Sequence, residues 1–247
     1  MKLLLMAAER VGTEILCWLL KVYPQDLTMV VTPDKNEIFH AATKAGVPAT
    51  IFRSSQQVVL ELQDASIEPD IGILAWWPLI IRDPLLSVPK HGFINTHPSL
   101  LPYNRGKHYN FWALVEQTPF GVSLHFVNEG VDSGDIVAQK AIQYDWEDNG
   151  ASLYAKAQLE IVALFKKTYP LIRTLNIPRH KQDIDKGSFH TADEIDVASM
   201  INLEKQYCAR DLLNLLRART FPMYPACWFR DGGEEYEVRI EIKRKKT

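Results

Sequence analysis

Asn95 and His97 stand two residues apart, separated by Thr96 and preceded by the apolar pair Phe93-Ile94. In a strand, alternate residues share a face, so a carboxamide and an imidazole here would point the same way. The carboxyl end of a buried parallel strand is where open α/β sheets place their sites. An amide donor beside a group that titrates near neutral pH suits acyl transfer, the one stabilising an oxyanion and the other moving protons. An isolated Asn-x-His also has a plainer use, with the asparagine capping a turn and the histidine satisfied by backbone. A carboxylate follows at Asp132, inside Gly130-Val131-Asp132-Ser133-Gly134. It either completes the pair or shapes a glycine-flanked turn.

Those side chains need elements to hold them. Apolar runs at 2–6, 27–31, 49–52, 71–75 and 93–96 read as buried strands. Helical spacing alternates with them at 11–21, 37–45 and 56–62, the first carrying Ile15, Trp18 and Leu19. Repeated strand-then-helix units predict an α/β fold, a Rossmann-like, mostly parallel sheet flanked by helices. Segments 122–127 and 136–142 form a paired strand unit, and a long helix over 151–175 closes the first domain. Pro178 and the polar run 180–188 mark a boundary near residue 183. The expected division is a catalytic domain over 1–183 and a small helix-plus-hairpin annex over 184–247. The annex combines a helix at 203–217 with a turn at Asp231-Gly232-Gly233, after which Tyr236, Val238, Ile240 and Ile242 alternate with Glu237, Arg239 and Glu241. A lone hairpin is marginal in water. Its apolar face therefore packs on the large domain or on a second subunit, and a homodimer through the hairpin is the favoured expectation. The closing run Lys243-Arg244-Lys245-Lys246 reads as a solvated tail.

With 247 residues and 47% apolar content, the chain can bury a large core. Its 28 Lys plus Arg against 30 Asp plus Glu advertise no polyanion, so nucleic acid is not an expected partner. Cys17, Cys208 and Cys227 are odd in number and lack metal-ligand spacing, which implies buried thiols in a reducing compartment and no metal. No stretch approaches the ~20 apolar residues that span a bilayer, and Glu9 and Arg10 interrupt the apolar start. A cytoplasmic protein without membrane contact is expected. The first turn, Ala7-Ala8-Glu9-Arg10-Val11-Gly12, holds no Gly-x-Gly-x-x-Gly phosphate loop, which argues against a dinucleotide-dependent oxidoreductase.

The string Asn95-Thr96-His97-Pro98-Ser99-Leu100-Leu101-Pro102, followed by Gly121-Val122-Ser123-Leu124-His125-Phe126-Val127 and Gly130-Val131-Asp132-Ser133-Gly134, resembles the folate-dependent formyltransferases. That family includes glycinamide ribonucleotide transformylase and methionyl-tRNA formyltransferase, and the likeness runs over residues 1–175. The resemblance implies Asn95, His97 and Asp132 as catalytic residues and 10-formyltetrahydrofolate as the donor, its formyl carbon attacked by an amine. It also implies that the folate lies against Trp77, Leu79 and Ile80 after the fourth strand, and against Val127, Gly130 and Val131. An apolar loop suits a flat heterocycle, although Trp76 and Trp77 serve equally well as core.

The choice of amine rests on departures within the family. The tRNA-formylating branch carries a larger, basic C-terminal domain, whereas this chain is slightly acidic. The glycinamide ribonucleotide branch lacks a counterpart of 203–242. The sequence is most similar to the sugar-nucleotide N-formyltransferases, through the stretches 102–112 and 215–221 and through Trp228. That likeness implies substrate contacts at Arg10, Tyr103, Asn104, Lys107, His108 and Tyr109, with helix amides near Lys107 adding to anion binding. Arg10 reads equally as a surface charge. The implied acceptor is dTDP-4-amino-4,6-dideoxyglucose, for surface polysaccharide (O-antigen) synthesis, with GDP-perosamine and other amino-deoxy sugar nucleotides behind it.

Overall fold

Every residue of β1 (Leu3–Ala7) and β4 (Ile71–Ala75) is buried, because helices cover both faces of the sheet to which they belong. Leu3, Leu5 and Ala7 face the larger core, built with α1 (Glu9–Val22), α2 (Glu37–Lys44), α4 (Tyr109–Val115) and α5 (Gly150–Arg173). Leu4 and Met6 face the smaller core under α3 (Ser55–Asp64). Strands buried on both faces carry continuous apolar runs, as these do. The coordinates are a computed structural model that describes residues 1–245, so Lys246 of the basic tail lies outside the described residues.

The remaining main strands are β2 (Leu27–Thr32), β3 (Ala49–Ile51), β5 (Phe93–His97), β7 (Gly121–Phe126) and β8 (Ile136–Ala141). The sheet order is β3-β2-β1-β4-β5-β7-β8, parallel through β5 and antiparallel at β7 and β8. Strand order reverses between β1 and β4, which opens a crevice at their carboxyl ends. Local signals set the helix starts. The Asn36 side chain accepts the amides of Ile38 and Phe39, Ser54 accepts that of Gln57, and Asn149 forms a capping box with Ser152. α1 begins at the crevice with no side-chain cap.

After α5 the chain crosses back over the sheet edge. β9 (Phe189–His190) pairs in parallel with β6 (Arg105–Gly106), so residues 188–190 are hydrogen-bonded to the large domain rather than free. α6 (Glu194–Ala198), α7 (Ala209–Ala218) and the hairpin β10 (Cys227–Asp231) and β11 (Glu234–Val238) complete the chain. Three expectations are corrected here. The tail helix starts at 209, not 203, because Lys205 closes a turn on the Asn202 carbonyl and the Tyr207 hydroxyl takes the Asn202 amide. The last strand stops at Val238, before Ile240 and Ile242, because the chain turns away to place the Ile240 amide 3.4 Å from the Thr220 hydroxyl. Cys17 and Cys208 are exposed, and only Cys227 is buried. α7 is locked down by Arg217, which is 6% exposed. Its guanidinium donates to the carbonyls of Asp145 (2.5 Å) and Asp148 (3.0 Å) and to Asn214 Oδ1 (2.9 Å), and lies over Trp146. Among the described residues, no helix is long and apolar enough to cross a membrane.

Candidate active site

β5 ends at the crevice between β4 and β7, and its register decides which side chains meet. Asn95 lies directly opposite His125, so the two share a face, and Asn95 Nδ2 stands 3.3 Å from His125 Nε2. Thr96 points the other way. Its hydroxyl donates to the Leu74 carbonyl (3.1 Å) and accepts the Trp76 amide (2.8 Å), which ties the end of β5 to the end of β4. The turn after His97 is fastened to β7. Ser123 Oγ donates to the Ser99 carbonyl (2.7 Å) and accepts the Leu101 amide (3.1 Å), and Gln139 donates to the Leu101 carbonyl (2.8 Å).

Asp132 arrives from the β7–β8 loop with φ +48°. That left-handed conformation is costly for a non-glycine residue and collects at functional sites. Its Oδ2 accepts the Gly106 N–H at 3.0 Å and lies 3.5 Å from His97 Nδ1, while Oδ1 lies 3.5 Å from His125 Nε2. A bulge in the β7–β8 ladder at Leu124/His125 re-aims the strand at this point. Asn95, His97 and Asp132 thus meet within one cluster. His125 joins them, although reading the sequence did not single it out. Its signal is the cross-strand register with Asn95, which exists only once β5 and β7 are paired.

The electrostatics follow from burial. Burial alone would push the Asp132 carboxyl up, but His97, His125 and the Gly106 amide outweigh it and hold the group well below the usual carboxylate range. Burial is also the largest influence on His97 and pushes its imidazole down, against the opposing pull of Asp132. His97 is therefore neutral at physiological pH. With Nδ1 toward a carboxylate, which can only accept, the ring proton belongs on Nδ1. Nε2 is then a buried lone pair with no partner among the described residues. His97, His125 and Asp132 also offer one ligand atom each within 4.8 Å of one another, a clustering that no His or Cys spacing in the sequence announced.

On the β1 and β4 side of His97 stands an aromatic wall. Tyr109 meets His97 edge-on at 5.9 Å, and Trp76 meets Tyr109 at 6.4 Å and Tyr154 at 5.6 Å. The Tyr154 hydroxyl donates to Glu9 Oε2 (3.2 Å), and Glu9 and Trp76 both adopt left-handed backbone, at φ +53° and +56°. Burial first, then Glu9, pushes Tyr154 up to about 12, so it remains a donor. Glu9 and Tyr154 carry no motif, and reading the sequence did not mark them.

The other candidates scatter more widely. Trp77 turns into the smaller core, edge-on to Phe52 at 5.4 Å, with its indole nitrogen buried and unpartnered among the described residues. Val127 packs on that same core, while Leu79 (45%), Ile80 (73%) and Val131 (50%) are exposed beside an exposed Gly130. Tyr103 is half-buried and Lys107 exposed. His108 is left-handed at φ +58°, with Nε2 3.2 Å from the Ala192 carbonyl, and the helix begins after it at Tyr109. Arg10 is exposed and paired with Glu14 at 2.8 Å. Asn104 is fully buried and its carboxamide is already committed, donating to Glu116 (3.0 Å) and accepting from Thr118 (2.9 Å).

Comparison with known proteins adds relatives to this geometry. Methionyl-tRNA formyltransferases from Wolbachia pipientis and Bacillus licheniformis are 28% and 29% identical, over 66% and 67% of this chain and 58% and 52% of their own. The chain thus spans a little over half the length of these curated relatives. Among solved structures, a sugar N-formyltransferase from Shewanella sp. superposes with a TM-score of 0.80 at 21% identity, covering 100% of this chain and 99% of that one. A 4-N formyltransferase from Francisella tularensis gives 0.79 at 22%, covering 99% and 98%. An N-formyltransferase from Helicobacter canadensis, in complex with folinic acid and dTDP-3-aminofucose, gives 0.72 at 19%, covering 94% and 85%. At these identities the likeness is one of fold. A profile described as the N-formyltransferase dimerization C-terminal domain matches residues 194–244. With the formyl transferase profile matching residues 25–167, more than half of the chain, on this fold and around this cluster, the protein belongs to the formyl transferase family.

Proposed function

We propose that this protein moves a formyl group from 10-formyltetrahydrofolate to the amine of a nucleotide-linked amino-deoxy sugar. The observation that carries the reading is the neutral, buried His97, with Nδ1 toward Asp132 and an unpartnered Nε2, on the same strand face as the Asn95 amide. The uncharged amine of the acceptor attacks the formyl carbon and a C–N bond forms. The formyl oxygen takes the negative charge, and Asn95 Nδ2 donates to it. His97 Nε2 accepts the proton that the nitrogen sheds, and Asp132 stabilises the imidazolium. Collapse breaks the bond from the formyl carbon to N10, and the electron pair and the proton pass to tetrahydrofolate.

The donor fits the exposed apolar residues Leu79 and Ile80 after β4 and Val131 before Asp132, and the aromatic wall of Trp76, Tyr109 and Tyr154 suits the face of a sugar. We take dTDP-4-amino-4,6-dideoxyglucose as the first acceptor, feeding surface polysaccharide, in a cytoplasmic homodimer joined through the C-terminal hairpin. Support comes from the end-to-end superposition on sugar N-formyltransferases, from the dTDP-sugar and folinic acid held by the Helicobacter protein, and from the dimerization profile. GDP-perosamine and dTDP-3-amino sugars are the next acceptors. Charged initiator tRNA is a second reading, favoured by the curated relatives. The domain division at 183/184 belongs to the same proposal. Incubation with 10-formyltetrahydrofolate and a panel of dTDP- and GDP-linked amino sugars should give one product heavier by a formyl group in a mass spectrum. Turnover of charged tRNA and of no sugar would replace the acceptor, and turnover of neither would remove the reading.

A further inference from the structure

We propose that residues 180–191 form a strap that sets the position of Asp132, with Gln182 as its positioning residue. The proposal rests on the reading that Asp132 takes part in formyl transfer.

The strap begins as a two-way bridge, the Ile136 amide donating to the His180 carbonyl (2.8 Å) and the His180 amide to the Ile136 carbonyl (2.9 Å). Two residues on, Gln182 Nε2 donates to the carbonyls of Asp132 (2.9 Å) and Gly134 (2.6 Å). Both partners can only accept, so the amide orientation is fixed and Gln182 Oε1 is left buried without a partner among the described residues. Asp132 needs such restraint, because its φ of +48° persists only where the surroundings over-determine it.

The strap reaches the same carboxylate from the other side. The strap takes the Arg105 amide on the Ser188 carbonyl and the Lys107 amide on the His190 carbonyl, both at 3.0 Å. With the N–H groups of 105 and 107 held by the strap, that of Gly106 is turned outward, onto Asp132 Oδ2 at 3.0 Å. Only glycine fits there, since φ is +87° and a Cβ would collide with the His190 carbonyl. The far end of the strap is pinned by His190. Its ring stacks on Trp112 at 3.7 Å, with one nitrogen 2.7 Å from Glu116 and the other 2.8 Å from Glu194. Ser188 donates to Glu116 (2.8 Å), the carboxylate that also takes the Asn104 amide. Asn104 therefore serves the strap, and the motif loop and the C-terminal crossing form one clamp around Asp132.

Gln182→Glu keeps the shape and turns two donors into acceptors facing two carbonyls, and Gln182→Met keeps the bulk and removes the donors. In the full chain, both should lower kcat about 10²-fold, the usual consequence of a misplacement near 1 Å. KM for donor and acceptor should stay within about threefold, since neither substrate is touched. Because Asp132 opposes the effect of burial on His97, the acid limb of the kcat profile should move to lower pH, which general loosening would not cause. Amide hydrogen exchange over 131–136 should rise in both variants, whether or not a substrate is known. Wild-type turnover with both variants fully active and unshifted would overturn the strap, as would unchanged exchange at 131–136. Faster exchange in a protein with no formylation by the wild type would uphold the strap and remove the catalytic reading of Asp132.

Discussion

β5 and β11 are both five-residue strands, yet they are opposites in the folded chain. β5 has a hydrogen-bonded neighbour on each side, and only Asn95 among its residues escapes full burial. β11 has one neighbour, β10, and exposes every residue before Val238. The difference is one of purpose. Closing both edges lets an asparagine and a histidine hold a fixed geometry in a dry place, where directed hydrogen bonds count for most. Leaving one edge open presents backbone donors and acceptors, with Tyr236 beside them, to another surface.

The largest test falls on the closed strand. Asn95→Ala removes the proposed oxyanion donor, whose side chain makes one hydrogen bond among the described residues, to His125. Turnover should fall about 10²–10³-fold, with the thermal midpoint nearly unchanged. Near-wild-type formylation by the purified variant would sever Asn95 from the chemistry. Next comes the bolt between the two regions. Arg217→Met leaves the Asp148 carbonyl without its donor and the Asp145 carbonyl with only the Asp148 amide, 3.3 Å away, at a cost on the order of 3 kcal/mol. Urea denaturation should show that loss. A midpoint equal to the wild type's would mean that α7 is held by apolar packing alone.

The closed site also carries a pH signature. Folding lowers the affinity of His97 for its proton, with burial the main cause, so on acidification the unfolded chain protonates first. The stability contributed by its neutral form is complete above about pH 6.5 and is lost as pH falls through the lower folded value. Asp132, also lowered, contributes above about pH 4 and is lost below it. The urea midpoint should therefore decline between pH 7 and pH 5, and decline less in His97→Asn. Parallel curves would place the acid sensitivity elsewhere.

What the sequence made legible follows the same contrast. The alternation of strands and helices, and the meeting of Asn95, His97 and Asp132 in one cluster, could be read because each depends on local pattern or on short contiguous strings. His125 could not, since its role is a cross-strand register across thirty positions. Glu9 and Tyr154 meet only after α5 folds against α1. Asn104 looked like a substrate ligand because its neighbours are cations and aromatics, but burial turned its amide toward Glu116 and Thr118. The polar run 180–188 reads as a boundary for the reason that the structure explains: its side chains and backbone serve hydrogen bonds to other segments rather than a core of their own.

The smallest effect on chemistry and the clearest on assembly belongs to the open strand. Tyr236 is 48% exposed and stacks on Phe229 at 5.3 Å across the hairpin. Val197 and Met200, 77% and 48% exposed, belong to the same annex, and Met200 is bridged to Trp228 of β10. Tyrosine is enriched among the residues that carry most of the binding energy of an interface. Tyr236→Glu places a charge where a partner copy would have to desolvate it, and should weaken self-association at least tenfold, a penalty of about 1.4 kcal/mol. Sedimentation across a concentration series measures it. Turnover per chain should change by less than about twofold, because Asn95, His97 and Asp132 and the residues that fasten them are supplied by one chain. A variant that dissociates and also loses turnover would show that the open edge helps to build the closed site. A variant that stays associated would move the interface off the hairpin.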